Sequence, residues 1–309
     1  MSKITVTEIA GQTSGSDQNL VKLPSNNTLQ VDNIVNRGGD NDSGIDLGTN
    51  DVIRFKTANA ERMRLDAGGS VLLGQTTPTD LHNTWNHLIM GNRGSIISQN
   101  GGGGIDGMTV SYNAYIDSDT GGYSYIATDE ASILTQQNGI LQYRNAGSGT
   151  AGNAITFDTK LQIDADGRVT MPKQPNFLAR PNGNDTIPLG GTKIAHDEAI
   201  HNIGNHYNTS NQRFTAPVAG IYYLEHIIVM TGGNTGTLEA KIYVNGAERS
   251  RSYHRYDGNQ DSDRTSSFIE LSAGDYAEPY CHWSSSNLNT LNAGSTAMII
   301  TSFSGYLMQ

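Results

Sequence analysis

The segment Met63–Leu73 recurs as Leu161–Met171, and each copy sets apolar residues at alternate positions on either side of an Asp-Ala-x-Gly corner. The corners read Asp66-Ala67-Gly68-Gly69 and Asp164-Ala165-Asp166-Gly167. Alternation on both sides of such a corner predicts strand, tight turn, strand. A further alternating run precedes each copy, Val52–Phe55 and Ala154–Phe157, and is expected to be another strand. Units this small cannot bury a core alone. Three chains wrapping together, with their apolar faces turned to a shared axis, would satisfy them.

Composition agrees with strands and turns. The chain has 36 Gly and is only 16% charged, which points to many turns and few helices. Its net charge of −10 argues against binding a nucleic-acid backbone, which needs clustered Lys and Arg. Sugars and basic protein faces remain compatible partners. With a single cysteine, Cys281, there is no internal disulfide framework and no Cys-rich metal knuckle, so stability must come from packing or from other chains. Met1–Ala10 alternates apolar and polar residues, and no stretch approaches the roughly 20 apolar residues of a membrane span. The expectation is a chain with neither a cleaved export signal nor membrane insertion.

Three regions follow. Residues 1–38 are polar and short-patterned, an arm with too little apolar surface to fold alone. Residues 39–178 hold the repeats and turn-rich strands. Pro172, Pro175, Pro181 and Pro188 mark a boundary, because proline removes ladder donors and stiffens the chain. Residues 179–309 hold strand candidates at 220–230, 241–244, 249–256, 265–271, 276–282 and 297–306, spaced as an all-β sandwich requires. Asn245-Gly246 is the strongest hairpin signal.

Four motifs in this last region occur in a fixed order. They are Gly204-Asn205-His206-Tyr207, Phe214 to Leu224 with Pro217, Gly220 and Tyr222, Leu271-Ser272-Ala273-Gly274-Asp275, and Phe303-Ser304-Gly305-Tyr306. Together they resemble the globular head of the complement C1q family. Leu224 stands where that family usually has an aromatic, and Cys281 is not its usual core cysteine. The resemblance implies a trimeric jelly roll that binds partners without catalysis, with Leu271–Asp275 as a hairpin. The units around Met63–Leu73, and the stretch with Ala114, Tyr115, Gly122–Ala127 and Ala146–Ala154, resemble bacteriophage tail-fibre shafts. That similarity covers roughly residues 39–178.

Candidate chemistry is sparse. His196, His201 and His206 are five apart, a spacing that suits neither a strand nor a helix as a zinc site, so they are expected at the surface or a trimer interface. Gly101–Asp106 matches one unit of a calcium-binding β-roll, which needs tandem copies; a loop is expected. Asp117, Asp119, Asp129 and Glu130, with Asp257, Asp261 and Asp263, are the carboxylates from which a glycosidase pair could be drawn, and none can be paired from sequence. Asp257, Asp261 and Asp263 are also a calcium candidate on a hairpin-tip loop, but no bidentate Glu follows and a solvated loop is the preferred reading. Tyr253, His254, Arg255, Tyr256, Trp283 and Asn287 are the receptor-binding candidates, because Trp and Tyr stack on sugars and dominate hot spots. Against that, Tyr256 and Trp283 could equally line the inner face or the threefold axis.

The sequence thus predicts an all-β chain: an intertwined trimeric shaft and a C-terminal jelly-roll sandwich. The expected function is a homotrimeric virion fibre, made in the host cytoplasm and extracellular when mature. Residues 1–38 would join a phage tail or adaptor protein, and the head would bind a host glycan or protein. It needs no cofactor and is not an enzyme. The alternatives are a head that serves only as a trimerisation clamp, a polysaccharide-degrading spike, and a secreted cellular C1q-like protein.

Overall fold

The structure, a computed structural model, describes residues 33–35, 43–74, 81, 85–99, 107–232, 234–285, 289–294 and 298–308. Apart from Asn33–Val35, the proposed arm lies outside these residues, as do Gly101–Asp106 and Asn287. The described residues form strands and turns without a helix. Two compact units result, residues 1–158 with 162–168, and residues 159–161 with 169–309.

The first unit is built on one sheet whose strands follow one another from Asn33–Val35 to Ile140–Gly149. Val71–Leu73 and Trp85–Met90 pair parallel, whereas the pairs on either side of them run antiparallel. The hairpin of Ala114–Ile116 and Tyr123–Tyr125 leaves the sheet and packs on one face. It covers Ile97 and Ile133, and Tyr123 meets Phe157 edge to face at 5.4 Å.

The repeated corners fold alike. In the first, Asp66 Oδ1 accepts from the amides of Gly68 (3.0 Å) and Ser70 (2.8 Å). In the second, Asp164 Oδ1 accepts from Asp166 (3.0 Å) and Arg168 (2.9 Å). Gly69 and Gly167 both sit at φ 84°, a left-handed conformation that glycine adopts without a Cβ penalty. The run before the second copy departs from expectation. Ala154–Phe157 makes only an isolated bridge, Ser124 to Ala154, because the Ile155 amide is drawn to the Tyr123 carbonyl of the covering hairpin.

The second unit is a two-sheet sandwich. One sheet orders its strands Asp185–Ile187, Asn289–Leu291, Gly220–Thr231, Ser302–Leu307, Asn176–Arg180 and Glu198–Ile203, with Asp261–Leu271 also paired to Gly220–Thr231. The other orders Tyr207–Asn208, Arg213–Thr215, Tyr276–Trp283, Gly236–Val244 and Ala247–Arg251; Gly190–Lys193 and His254–Tyr256 join its long strands. Phe177 is central to the core between them, with rings stacked at 4.9 Å on Tyr207 and 4.7 Å on Phe214 and edge-on at 5.1 Å to Phe303.

Asn245-Gly246 forms its hairpin with φ 51° and 77°, as the primed turn between twisted strands requires. Two other expected hairpins are not hairpins. Residues 257–260 carry the chain from His254–Tyr256 in one sheet to Asp261–Leu271 in the other, and Ser272–Asp275 carries it back to Tyr276–Trp283. The turn chemistry is genuine, since Asp275 Oδ2 accepts from the Ser272 amide at 2.8 Å. Pairing is decided by the partners of the flanking strands, which are remote in sequence. The predicted strand 249–256 is broken at Ser252-Tyr253, where Ser252 Oγ turns in to Asp263 at 2.5 Å.

The quoted motifs have physical reasons. Phe303 is fully buried; a Cβ on Gly305 would lie 2.5 Å from Leu224 Cδ2 and 2.9 Å from the Tyr223 carbonyl, so only glycine fits. Tyr207 is buried and its hydroxyl donates to the His196 carbonyl at 2.9 Å. Asn202 closes the Gly204-Asn205 turn by bonding both the amide and the carbonyl of Tyr207.

Candidate functional site

Strand Gly220–Thr231 is apolar on both faces. Tyr222, Leu224 and Ile228 point into the core, while Tyr223 points out. A strand with apolar residues on both sides expects cover on both. The register sets Tyr223 opposite Phe268 on one side and Tyr306 on the other, with ring centroids 5.4 Å apart in each pair. Phe268 is 62% exposed and Tyr306 46%. The next row holds Glu225, Ser304, Leu178 and His201. Glu225 accepts from the Tyr223 hydroxyl at 3.1 Å and pairs with Arg264 at 3.4 Å. An open groove of about 710 Å³ lies beside Tyr223 and Tyr306 and is lined also by Phe177, Leu178 and His201. Sequence inspection missed this face, although Ile221 and Tyr223 alternating with Tyr222 and Leu224 were its signal.

The six receptor candidates separate. Tyr253 is 75% exposed, in the break between two strands, and Arg255 is exposed beside it. His254 is half-buried and its Nε2 lies 2.5 Å from Asp261 Oδ2. Asp261 is held below the ordinary carboxylate range by the Ser262 amide and then by His254. Of the two readings for Tyr256 and Trp283 the structure takes the inner face, which removes them as receptor-binding candidates: both are core residues, 1% and 0% exposed. Trp283 ends the inward-facing series Ala277, Pro279, Cys281 on its strand, and its indole meets Tyr256 edge-on at 5.8 Å. Gly236 makes room for it; a Cβ there would come within 2.7 Å of the ring. Neither side chain is available to a partner.

The calcium candidate is also corrected. Asp263 is buried and committed to the fold, Oδ2 accepting from the Ala240 amide at 2.8 Å and from Ser252 Oγ. Asp257 accepts from the Asn259 amide, and Asp261 is paired with His254. Among the described residues no three His, Cys, Asp or Glu side chains gather as a metal set. Two of the four candidate carboxylates of the first unit are likewise occupied. Asp117 accepts from the Thr120 and Asp119 amides, which hold it below its ordinary range, the opposite of what a general acid needs. Asp129 is paired with Arg93.

His196 departs from its expected surface position. It is fully buried beside His226, ring centroids 5.1 Å apart, and both rings border Phe303. Its Nδ1–H donates to the Ile194 carbonyl at 3.2 Å, and that of His226 to the Lys241 carbonyl at 3.1 Å. Burial pulls His196 down to about 4 and His226 well below 6.5, the latter also through its neighbour. Both are neutral at pH 7. His201 and His206 lie toward solvent. Among the described residues no helix is long and apolar enough to cross a membrane.

Comparison with known proteins bears on the second unit. The C1q domain family matches residues 177–308. Complement C1q tumor necrosis factor-related protein 2 from Mus musculus is 31% identical over 90 residues, 29% of this chain. The matched part spans only 30% of that relative's length. Among solved structures, the globular domain of zebrafish complement 1qA protein is similar at 13% identity over 44% of this chain and 98% of that one, with a TM-score of 0.32. Murine APRIL is similar at 14% identity over 44% of this chain and all of that one, with a TM-score of 0.35. The described residues are all-β, and the second unit is a jelly-roll sandwich that the C1q domain family matches.

Proposed function

We propose that this chain is a non-enzymatic, homotrimeric adhesive fibre, specifically a bacteriophage tail fibre. In this reading residues 1–38 join a tail or adaptor protein, residues 39–178 form the shaft, and the head meets a glycan or protein on the host surface. The observation that carries the trimer is the exposed aromatic face of Tyr223, Phe268 and Tyr306, on a head of the C1q/TNF-like class that commonly forms homotrimers. Burial of these rings against their copies would remove the apolar surface from water. The Met63–Leu73 and Leu161–Met171 corners support the shaft. Three tips on one fibre turn the second and third surface contacts into effectively intramolecular events, so weak sites suffice.

Tyr253 and Arg255 are the remaining exposed receptor candidates, with His254 and the Asp257 loop beside them. A second reading is favoured by the burial of Tyr256 and Trp283: the head is a trimerisation clamp and another protein contacts the host. Binding of fluorescently labelled full-length chain to a panel of bacterial cells separates the two. A receptor tip labels some strain, and Tyr253→Ala with Arg255→Ala reduces labelling without changing the mass in solution. Absence of labelling by an intact trimer leaves the clamp.

A further inference from the structure

Among the described residues, the sheet of the first unit has one face covered by the chain itself and one face bare. On the covered side Leu72, Ile97 and Ile133 are at most 1% exposed. On the bare side the register threads a row from Ile53 through Val71, Leu88, Val110 and Leu134 to Tyr143. Residues in direct register share a face. A parallel row runs from Phe55 through Leu73 and Met90 to Tyr112. Every large apolar side chain between residues 53 and 143 that counts as exposed among the described residues lies on this face, each 37% to 44% exposed.

Polarity is inverted relative to a sheet made to face water. Along Ile53–Thr57 the apolar Ile53 and Phe55 are exposed, whereas Arg54 and Lys56 are partly covered and pair with Asp46 on the opposite side. Glu61 joins that opposite-side cluster through Arg54 and Arg64. Neither row contains an Asp, Glu, Lys or Arg. We infer that this bare face is an interaction surface whose partner is the same face of further copies of this chain.

Two features select a second copy over an unrelated partner. The chain carries a net charge of −10, so copies repel, and these two rows offer them a contact without Asp, Glu, Lys or Arg, with Arg93 and Asp129 meeting the face only at Tyr112. Its nine exposed side chains leave on the order of 800 Å² of surface per chain, above the largest patch of a typical monomer and about what each partner contributes to a standard interface. The inference rests on the proposed reading of residues 39–178 as a shaft and deepens it by naming the contact surface; it places that contact in the first unit, apart from the head's aromatic face.

Met90 and Met108 lie on this face, each 43% exposed in the single chain, and Met298 lies outside it at 67%. Hydrogen peroxide is therefore a direct probe. Sulfoxide formation at each methionine of the full chain is followed by peptide mass spectrometry and normalised to the urea-unfolded chain, with mass in solution measured alongside. The expected result is oxidation of Met90 and Met108 about 10-fold slower than Met298 in the associated protein, and loss of that protection on dilution to monomers. Val110→Lys with Leu134→Lys should abolish the protection while the head's mass signature persists. Equal rates at the three sites in an associated protein overturn the inference and leave head assembly standing. Protection that persists in a monomer places the cover within the chain and also overturns it. A monomer at every concentration with equal rates removes both this inference and the trimer reading.

Discussion

Acid should destabilise the head through its buried histidine pair, in a pH window set by geometry. In the unfolded chain a histidine titrates near 6.5, whereas in the folded head burial lowers His196 to about 4. Between these values the unfolded state binds a proton that the folded state refuses. Stability is therefore fully present above pH 6.5, falls as pH drops through the window, and the loss is complete below about 4. At about 1.4 kcal/mol per pKa unit, His196 alone accounts for about 3 kcal/mol, of which about 2 kcal/mol is gone by pH 5. His226, shifted the same way, adds to the loss. Against a typical domain stability of about 5–15 kcal/mol this is large. The assay is urea unfolding at fixed protein concentration from pH 7 to pH 5, read by Trp283 fluorescence in a Trp85→Phe background. Replacing both histidines by Gln should flatten the dependence. A wild-type stability that is constant from pH 7 to pH 5, or an equal slope in the double variant, would refute the reasoning.

Other outcomes follow from close packing and turn geometry. Gly305→Ala should cost about 1–3 kcal/mol by the urea midpoint, since its Cβ would press on Leu224 Cδ2 at 2.5 Å and the Tyr223 carbonyl at 2.9 Å. A cost near zero would mean that strands Gly220–Thr231 and Ser302–Leu307 do not pack side by side as described. Gly69→Ala and Gly167→Ala should each lose about 1 kcal/mol, because both glycines sit at φ 84° with no contact closer than 3.7 Å for the new methyl. Unequal costs, measured by thermal melting, would show that the two corners are not equivalent. Cys281 is buried and its thiol is pushed up to about 12, so iodoacetamide at pH 8 should leave it unmodified in the folded protein and alkylate it in urea. Mass spectrometry of the native reaction decides this.

The local grammar of the fold was readable in the chain. Alternation gave strands except at Ala154–Phe157, Asn245-Gly246 gave its hairpin, and the Asp-Ala-x-Gly corners gave two turns with matching hydrogen bonds because Asp and Gly act within five residues. What could not be read is set by partners distant in sequence. The turn at Ser272–Asp275 has hairpin chemistry, yet its flanking strands pair with Gly220–Thr231 and Gly236–Val244 in different sheets. Tyr253 and Tyr256 are equally aromatic and only three residues apart. A kink fixed by Ser252 and Asp263 leaves one in water, and the space above Gly236 draws the other toward Trp283. His196 and His226 meet only through the sandwich. The bare face of the first unit was half legible: its alternating residues are visible in the repeats, but the eight-strand register that joins them into one surface is not.

In the proposed assembly, copies of this chain meet through the head's aromatic face. The most direct test is the mass in solution, by light scattering, of the full chain and of its Phe268→Lys, Tyr306→Lys variant. A trimer of the 33.2 kDa chain, weakened toward smaller species by the variant, is the predicted result. A monomeric wild type, or a trimer indifferent to both lysines, would contradict it.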